Sequence, residues 1–355
     1  MQIEPPYSQR RLRRSSPVRP WMIVTAVIVL LVGAGWTIFW NIAANEAASS
    51  LDAWIAREKI FHRTWTCPDR QIGGYPVSIE IACSKPHFDG LIFRRHYVGS
   101  LAGFVATASL ADPTAVTLNV ESPFEAAPSE KGENISLAWN TMSVRLGGVP
   151  EDVVEVSVNG TGIALSGQTQ ETGALAMKAT QAHATFTHDS GRQDRAIGFR
   201  IDLAGVSIPA VDVYLGGSAP ADIAMRGYIT QASFDPAQTL AKSLEQWSAA
   251  GGQIEIANFA ANRAETKLEA HGALGLDPAH QIQGELDTKT TGFEKILLQL
   301  GVDPAIVTAG SLLATLLGGD KDSKGPQPLH LPVSFNNGRV SIGPVRTTIR
   351  VPPLY

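Results

Sequence analysis

The pattern of apolar and polar residues divides the chain into three parts. Residues Trp21–Trp40 form an apolar run without a charged residue, with the roughly 20 residues that a helix needs to cross a bilayer. Apolar residues recur at helical spacing beyond this run, and from Thr64 onward the period changes to two, which is typical of strands. The pattern predicts a transmembrane helix over 21–40, a juxtamembrane helix over 41–63 and a β-rich domain over 64–355.

Two stretches of the β-rich domain, 197–203 and 268–274, alternate apolar and polar residues cleanly. Continuous apolar runs, which parallel strands buried on both faces require, do not occur after the first span. The domain is therefore predicted to be mainly β (α+β), with an antiparallel sheet. The apolar positions of the two stretches are expected to lie on one apolar face, as a groove or as core: Ile197, Phe199, Ile201, Leu203, Leu268 and Leu274.

Segments of period two, separated by turn signals, predict more than ten strands. A change of phase near Asn140-Thr141 indicates a bulge or a tight turn. Asn159-Gly160 and Asn336-Asn337-Gly338 are typical of turns. The predicted strands are Val77–Ala82, Leu91–Arg94, Val116–Val120, Ile135–Trp139, Met142–Leu146, Val154–Val158, Leu175–Ala179, Ala182–Phe186, Ile197–Leu203, Ile223–Ile229, Ile254–Ile256, Leu268–Leu276, Ile282–Leu286, Leu331–Phe335 and Val340–Ile342.

About three helices are predicted within the β-rich domain. Asp235-Pro236 is an N-cap and first-turn signal for one helix, which should end at Gly251-Gly252. A second should begin near Gly292 and a third at Asp303-Pro304. So few helices cannot cover the apolar face of so many strands. That face must close on itself, pack on a second sheet or hold an apolar ligand.

The charge of the amino-terminal segment predicts the orientation of the span. Residues 1–20 carry five arginines against Glu4, a net charge of +4, so the chain's −4 leaves about −8 elsewhere. This balance argues against a nucleic-acid partner. Basic residues before the span and few after it predict a cytoplasmic amino terminus. The basic flank, expected to lie against anionic lipid head groups, consists of Arg10, Arg11, Arg13, Arg14 and Arg19.

Tryptophans mark both ends of the predicted span. Trp21 stands at one end and Trp36 and Trp40 at the other, and indole rings favour the membrane–water interface. A cleaved signal peptide is the alternative, although its apolar region would usually be shorter than this one. The other tryptophans (Trp54 and Trp65 among them) are expected in the core, with an apolar groove as the alternative.

Cys67 and Cys83 are the only cysteines, and both follow the span. In an oxidising compartment they are expected to form a structural disulfide. A metal site with His62 and His87 is the alternative, but no CxxC pair supports it.

Motifs that carry chemistry are missing from the sequence. It contains no GxSxG, HExxH, GxGxxG or GxxxxGK[ST]. His183 and His188 are five apart on a predicted strand, which places them on opposite faces. No catalytic, cofactor-binding or metal-binding residue is therefore expected, and we predict a protein that is not an enzyme. A hydrolase with an unrecognised site is the least favoured alternative.

The residues from Cys67 to Cys83, CPDRQIGGYPVSIEIAC, resemble an uncharacterised bacterial membrane-anchored family, domain-of-unknown-function family 2125. A looser resemblance links Leu268–Thr288 and Leu331–Pro344 to AsmA-like envelope proteins. That resemblance implies a curved sheet whose apolar face carries lipid, on a protein of the bacterial inner membrane with a periplasmic domain.

The expected function is non-enzymatic binding of lipid or another apolar ligand in an amphipathic β groove, in maintenance of the cell envelope. The expected partners are the lipid bilayer, a lipid or apolar ligand and other envelope proteins. The alternative is a structural or protein-interaction module with a closed core.

Overall fold

The structure is a computed structural model. It describes residues 20–92, 95–128, 133–149, 153–169, 173–212, 218–233, 238–292, 329–343 and 345–354.

The first element, α1 (Pro20–Ile60), is a single continuous helix of 41 residues. Its amino-terminal part is long and apolar enough to cross a membrane, with a mean hydropathy of 2.4 over its most apolar window. The predicted juxtamembrane helix is the direct continuation of this part. At 1.5 Å per residue, α1 is about 60 Å long, twice the thickness of the hydrocarbon layer. If its first half spanned a membrane, its second half would therefore extend beyond it.

All strands of the described residues belong to one antiparallel sheet, which confirms the predicted fold class. Successive strands pair with their neighbours in the chain over most of its length. The strands are β1 (Arg63–Thr66), β2 (Asp69–Gly73), β3 (Ser78–Ser84), β4 (His87–Ile92), β5 (Arg95–Ser109), β6 (Asp112–Pro128), β7 (Asn134–Ala138), β8 (Thr141–Gly147), β9 (Glu155–Thr169), β10 (Gly173–His188), β11 (Ile197–Val206), β12 (Ala221–Ile229), β13 (Ile254–Arg263), β14 (Thr266–Leu276), β15 (Ile282–Thr291), β16 (Leu329–Asn336), β17 (Arg339–Ile342) and β18 (Val345–Arg350).

Three pairs of short strands each share one position in the sheet. β1 and β2 lie end to end against β4 and β3, which in turn lie end to end against β5. β7 and β8 together fill the place between β6 and β9. The 18 strands less these three shared places give fifteen positions. At about 4.8 Å per step, the sheet measures roughly 65–70 Å across its strands.

A line of irregularities crosses the first eight strand positions at one level. We call it the transverse break. In β9 and β11 it falls at glycines with positive φ, 60° at Gly162 and 63° at Gly205. Each irregularity shifts the alternation of the strand by one residue, which keeps the apolar residues of both halves on the same face. The break consists of Cys67-Pro68, Lys85-Pro86, Ala102, Ser122-Pro123, Trp139-Asn140, Gly162, Thr180 and Gly205.

The transverse break explains both a correct and a wrong prediction. The phase change near Asn140-Thr141 is confirmed as the gap between β7 and β8. The predicted strands Leu175–Ala179 and Ala182–Phe186 are wrong as separate elements, because they form one strand, β10, with a phase shift at Thr180. The predicted turn at Asn159-Gly160 is also wrong. These residues lie inside β9 and pair with β10.

Four strands, β1, β2, β5 and β18, were not predicted. The sequence of β5, RHYVGSLAGFVATAS, is rich in glycine, alanine and serine, so its alternation is weak. The predicted strand Leu91–Arg94 overlaps the end of β4, and its last two residues lie outside the described residues. The turn at Asn337-Gly338 is confirmed, with φ of 50° and 66°, values that suit a tight hairpin.

Within the described residues the β domain contains two helices, not about three. They are α2 (Pro209–Asp212) and α3 (Leu240–Ala249). The helix predicted from Asp235 begins later, because Thr239 is its N-cap and accepts a hydrogen bond from the Lys242 backbone N–H. Its end at Gly251-Gly252 is confirmed. The helices predicted near Gly292 and Asp303 lie outside the described residues.

The predicted disulfide is present. Cys67 and Cys83 are joined with an S–S distance of 2.00 Å, and their Cα atoms are 5.7 Å apart. Cys83 is almost fully buried in β3, and the bond ties the β1–β2 junction to this strand. The predicted pairing of the two cysteines is thus confirmed, and the alternative metal site at these cysteines is wrong.

Removal of the disulfide should destabilise the domain measurably. The Cys67→Ser/Cys83→Ser variant frees a loop of 16 residues, which lowers the free energy of unfolding by about 3 kcal/mol on the chain-entropy model. Urea denaturation should show the loss, and reductant should lower the wild-type value but leave the variant unchanged. Equal stability of both proteins would contradict a structural role.

Candidate functional site

One face of the sheet is apolar from its first strands to its last. Cross-strand pairing places residues of the same row on the same face. One such row runs through Ile201, Met225, Phe259 and Ala270 on β11 to β14. The row is continued on the near side by Ala184 of β10. The apolar face, as we define it, includes Ile79, Ile81, Phe104, Ala106, Val116, Leu118, Val144, Leu146, Val156, Val158, Ala184, Phe186, Ile223, Met225, Ile256, Phe259, Leu286, Leu331, Val333, Phe335, Val340 and Ile342.

The six residues predicted for an apolar groove or core all belong to this face. Leu203 stands in the same row as Leu268, with Ile223 and Ala261 between them. Ile197 stands in the row of Leu274 in the same way. Phe199 and Ile201 occupy the two rows between these. The alternation in the sequence thus identifies residues that the fold brings together from strands β11 and β14.

The apolar face is not sealed by a second layer of the described residues. None of their large side chains is less than 2 % exposed, whereas a sheet packed against another sheet would bury its central side chains fully. Ile201, Leu203, Met225 and Phe259 are each half-buried. Aliphatic and aromatic side chains therefore remain accessible over much of the sheet.

The helix α1 covers only the first strands of this face. Its Trp54 ring lies 5.9 Å from the ring of Trp65 on β1, which lies 4.7 Å from the ring of Phe88 on β4. Ala44 of α1 is buried, and so is Ile81 of β3, a strand that α1 contacts. The apolar surface of α1 thus adjoins the apolar face of the sheet.

The carboxyl-terminal end of the predicted span is bonded to the domain. The indole N–H of Trp36 donates to the carbonyl of Pro76 at 2.9 Å, and that of Trp40 donates to the carbonyl of Ser78 at 2.7 Å. The Tyr75 ring packs edge-on against Trp40 at 5.5 Å. Sequence reasoning assigned these tryptophans to the membrane interface, and it gave no signal for their bonds to the domain. Trp21 lies at the other end of the span, 62 % exposed.

Ion pairs tie the far half of α1 to the same edge of the sheet. Asp52 accepts from the Arg70 guanidinium at 2.6 Å, and Glu58 accepts from Arg63 at 2.7 Å. The contacts of α1 follow the first strand position from its Gly73 end to its Arg63 end. The strands at this edge therefore run along the helix axis, and the sheet extends sideways from α1.

Of the tryptophans expected in the core, Trp139 and Trp247 lie in the interior, whereas the expectation is wrong for Trp54, which is 39 % exposed. Trp139 is buried at the transverse break, and its indole N–H donates to the Val120 carbonyl at 2.9 Å. Trp247 of α3 is buried, and its indole N–H donates to the Thr230 carbonyl at 2.6 Å. Both are committed to packing at the sheet rather than to a ligand.

The opposite face of the sheet is polar. Its main cluster is centred on Arg192, which donates to Asp194 at 2.6 Å and to Glu255 at 2.9 Å. The guanidinium of Arg192 also lies 4.8 Å from the Tyr228 ring centroid. Hydrogen bonding from Arg192 is the main cause that holds the pKa of Asp194 below its ordinary value of 3.8.

Acidification should therefore weaken the Arg192 cluster. Because the folded-state pKa of Asp194 is lowered, its stabilising contribution is complete above the ordinary pKa and is lost as pH falls through the folded-state pKa. We expect Asp194→Asn to show a smaller drop in melting temperature than wild type between about pH 5 and about pH 3. The matched control, Glu285→Gln on the same polar face, should keep the wild-type drop. Identical drops in all three proteins would contradict the assignment.

The polar face has a hollow of about 640 Å³ at the level of the transverse break. Asn159 and His183 lie on its wall, and both ring nitrogens of His183 have hydrogen-bond partners. Its Nδ1 pairs with Asn159 Oδ1 at 2.6 Å and its Nε2 pairs with Thr185 at 3.1 Å. His188 pairs with Ile197 and lies on the other face, as predicted. No group of three or more metal-ligating side chains occurs among the described residues.

The basic flank, which includes Arg14 and Arg19, lies outside the described residues. The sequence left both an open groove and a closed core possible for the apolar face, since no pattern distinguishes one layer from two. The shortage of helices was the one signal that the face could lack a cover.

In the described part of the chain, these features define a class of protein, a single-layer antiparallel β-sheet docked to an apolar amino-terminal helix that is long enough to span a membrane. Residues 40–349 match the model of a family described as uncharacterized protein conserved in bacteria, domain-of-unknown-function family 2125, and the chain belongs to this family. No curated protein matches the chain significantly. The looser resemblance to AsmA-like envelope proteins stays a prediction.

Proposed function

We propose that the chain is a non-enzymatic protein of the bacterial inner membrane whose periplasmic sheet binds the acyl chains of lipids along its apolar face. The observation that carries this proposal is the continuous apolar face, which starts beneath α1 and remains half-exposed across the later strands. Exposure of such an apolar surface to water is unfavourable, at about 25 cal/mol per Å² of apolar area. An acyl chain would remove that cost.

The chemistry of the face suits an acyl chain better than a small polar ligand. Its rows contain aliphatic residues with Phe and Met, and the two threonines Thr288 and Thr290 are its main polar members. The Thr288 hydroxyl donates to the Leu331 carbonyl, so it offers little to a polar ligand. Flexible side chains such as Met225 can follow chains of different length and saturation.

The position of α1 supports the membrane itself as the source of the lipid. The apolar surface of α1 adjoins the apolar face at Trp65 and Phe88. A lipid that leaves the outer leaflet of the inner membrane would reach this face without crossing a polar barrier. The basic flank before the span supports a cytoplasmic amino terminus and a periplasmic domain.

Protease added to spheroplasts should therefore digest the domain. A domain that is digested only after the cells are lysed would contradict the proposed orientation.

Native mass spectrometry of the full-length chain tests lipid binding. We expect phospholipid adducts that survive collisional removal of the detergent, in a fixed number per chain. A chain that emerges free of lipid under the same conditions would contradict the proposal.

The second candidate function is the docking of an envelope protein at the outer edge of the sheet. Among the described residues, β18 pairs only with β17, and exposed Arg346 and Arg350 stand on this strand. An unpaired strand edge is a template for another strand. A crosslink from this edge to one envelope protein, together with a lipid-free chain, would favour docking over lipid binding.

A further inference from the structure

The turn that joins β2 and β3 is the most apolar exposed turn near α1. Ile72, at the end of β2, is 41 % exposed, and Tyr75 and Val77 in the turn are 53 % and 68 % exposed. No charged residue stands between Arg70 and Glu80 in the sequence. Exposed apolar side chains grouped in this way indicate a contact surface.

The neighbouring turns at this edge of the sheet have a different composition. The Leu110 backbone N–H bonds to the Val77 carbonyl, so the β5–β6 turn lies directly beside the β2–β3 turn. That turn leads directly into Asp112, the first residue of β6, and the β10–β11 turn farther along contains Asp189. The β8–β9 turn also exposes Val153 and Val154, but its sequence carries Glu151 and Asp152. Among these turns, the one that touches α1 combines exposed apolar side chains with an uncharged sequence.

The contacts with α1 fix the height of the β2–β3 turn. At 1.5 Å per residue, Trp36 and Trp40 lie about 22 Å and 28 Å along the helix from Trp21. The hydrocarbon layer is about 30 Å thick. Because Trp36 is bonded to Pro76 and Trp40 to Ser78, the turn stands beside the last part of the apolar span.

We propose that the β2–β3 turn, residues 72–78, inserts into the outer interface of the bilayer beside α1 and forms a second membrane contact of this chain. The occupant of this surface is the lipid bilayer, since the turn is continuous with the apolar surface of the span. Tyr75 places an aromatic ring with a hydroxyl at interfacial depth, which is the preferred location of tyrosine. Its hydroxyl is 2.9 Å from Thr37 Oγ1, so the ring is held against the helix.

The second contact fixes the orientation of the sheet relative to the membrane. With α1 as the single membrane contact, the domain can rotate and tilt relative to the bilayer. Two contacts, the helix and the turn, fix its orientation. The first strands run along α1, so the apolar face begins at the bilayer surface and extends sideways above it. This inference rests on the membrane anchor in the proposed function, but it does not require that the face bind lipid.

Site-specific fluorescence of the full-length chain tests the inference. Val27→Cys, Val77→Cys and Ile349→Cys place single reactive thiols in mid-span, in the turn and on β18, where Ile349 is 39 % exposed. Cys67 and Cys83 are bonded to each other, and none of the described cysteines is free to react. Each variant is labelled with an environment-sensitive nitrobenzoxadiazole dye and reconstituted in vesicles of phosphatidylethanolamine and phosphatidylglycerol. Nitroxide lipids then report depth.

We expect blue-shifted emission at positions 27 and 77, with deep nitroxides the better quenchers at 27 and shallow nitroxides the better quenchers at 77. Position 349 should emit as in water and resist both quenchers. A lipid environment at 27 with an aqueous environment at 77 would overturn the second contact and leave the anchor intact. An aqueous environment at 27 would overturn the anchor and the second contact together.

Discussion

Met225→Asp should abolish most lipid binding by the full-length chain. Met225 stands in the middle of the apolar face, between Ile201 and Phe259. A carboxylate there would have to lose its hydration beneath an acyl chain, which is strongly unfavourable. If the acyl chain moves away from the carboxylate, it loses about two methylene contacts at about 0.8 kcal/mol each. The affinity for lipid then falls roughly tenfold. Lipid retained per chain after detergent washing, measured by mass spectrometry, gives the result.

The next residue in the strand provides the matched control. Arg226 is exposed and projects from the polar face, so Arg226→Asp introduces the same group one residue away without touching the apolar face. Its lipid content should equal that of wild type. Equal retention by the two variants, whether high or low, would show that the apolar face is not the binding surface.

Trp247→Ala should cause the largest loss of stability among single substitutions near α3. The indole is buried, its N–H donates to the Thr230 carbonyl at 2.6 Å, and Gly252 lies against the ring. Truncation removes this packing and leaves the Thr230 carbonyl without that donor, at a cost of roughly 3–5 kcal/mol. Chemical denaturation followed by circular dichroism should show this loss.

Trp54→Ala is the control, because Trp54 is 39 % exposed and makes its ring contact with Trp65 at the edge of the sheet. We expect its cost to be well below that of Trp247→Ala. A smaller loss for Trp247→Ala than for Trp54→Ala would contradict the role of Trp247 as the anchor of α3.

The side-chain alternation predicted the faces of the sheet better than the limits of its strands. Alternation is a local property, and Ile197 to Leu203 follow it over most of β11, up to the irregularity at Gly205, so the face assignment holds. In β10 the phase shifts at Thr180, and a local pattern cannot distinguish a bulge from the end of a strand. The long β10 is fixed by its pairing with both neighbours, which the sequence does not display.

The helix after Trp40 was expected to dock on the domain, but the bonds of the predicted span itself were beyond sequence reasoning for a related reason. The positions of Trp36 and Trp40 in the chain predict a place at the membrane interface. The residues next to them in the sequence give no sign of a partner in the domain. Their bonds to Pro76 and Ser78 span 40 and 38 residues. Only the fold brings these groups together, and the apolar sequence of the β2–β3 turn became informative once its neighbour was known.

The orientation of the first strands changes how a lipid could use the sheet. The resemblance to AsmA-like proteins implies transfer of lipid between membranes, for which a sheet would extend away from the membrane. Here the strands beside α1 run along the helix, so the rows of the apolar face lead sideways from it. Binding of lipid at the surface of the inner membrane, rather than passage across the periplasm, fits this arrangement.

Site-specific photo-crosslinking in living cells tests the binding of lipid at the apolar face most directly. Phe259→benzoylphenylalanine and Phe335→benzoylphenylalanine probe the apolar face on β13 and β16, and Tyr228→benzoylphenylalanine probes the polar face. Lipid binding predicts phospholipid adducts at both phenylalanine positions and none at position 228. Adducts at 228 equal to those at 259 and 335, or no lipid at any position, would contradict it.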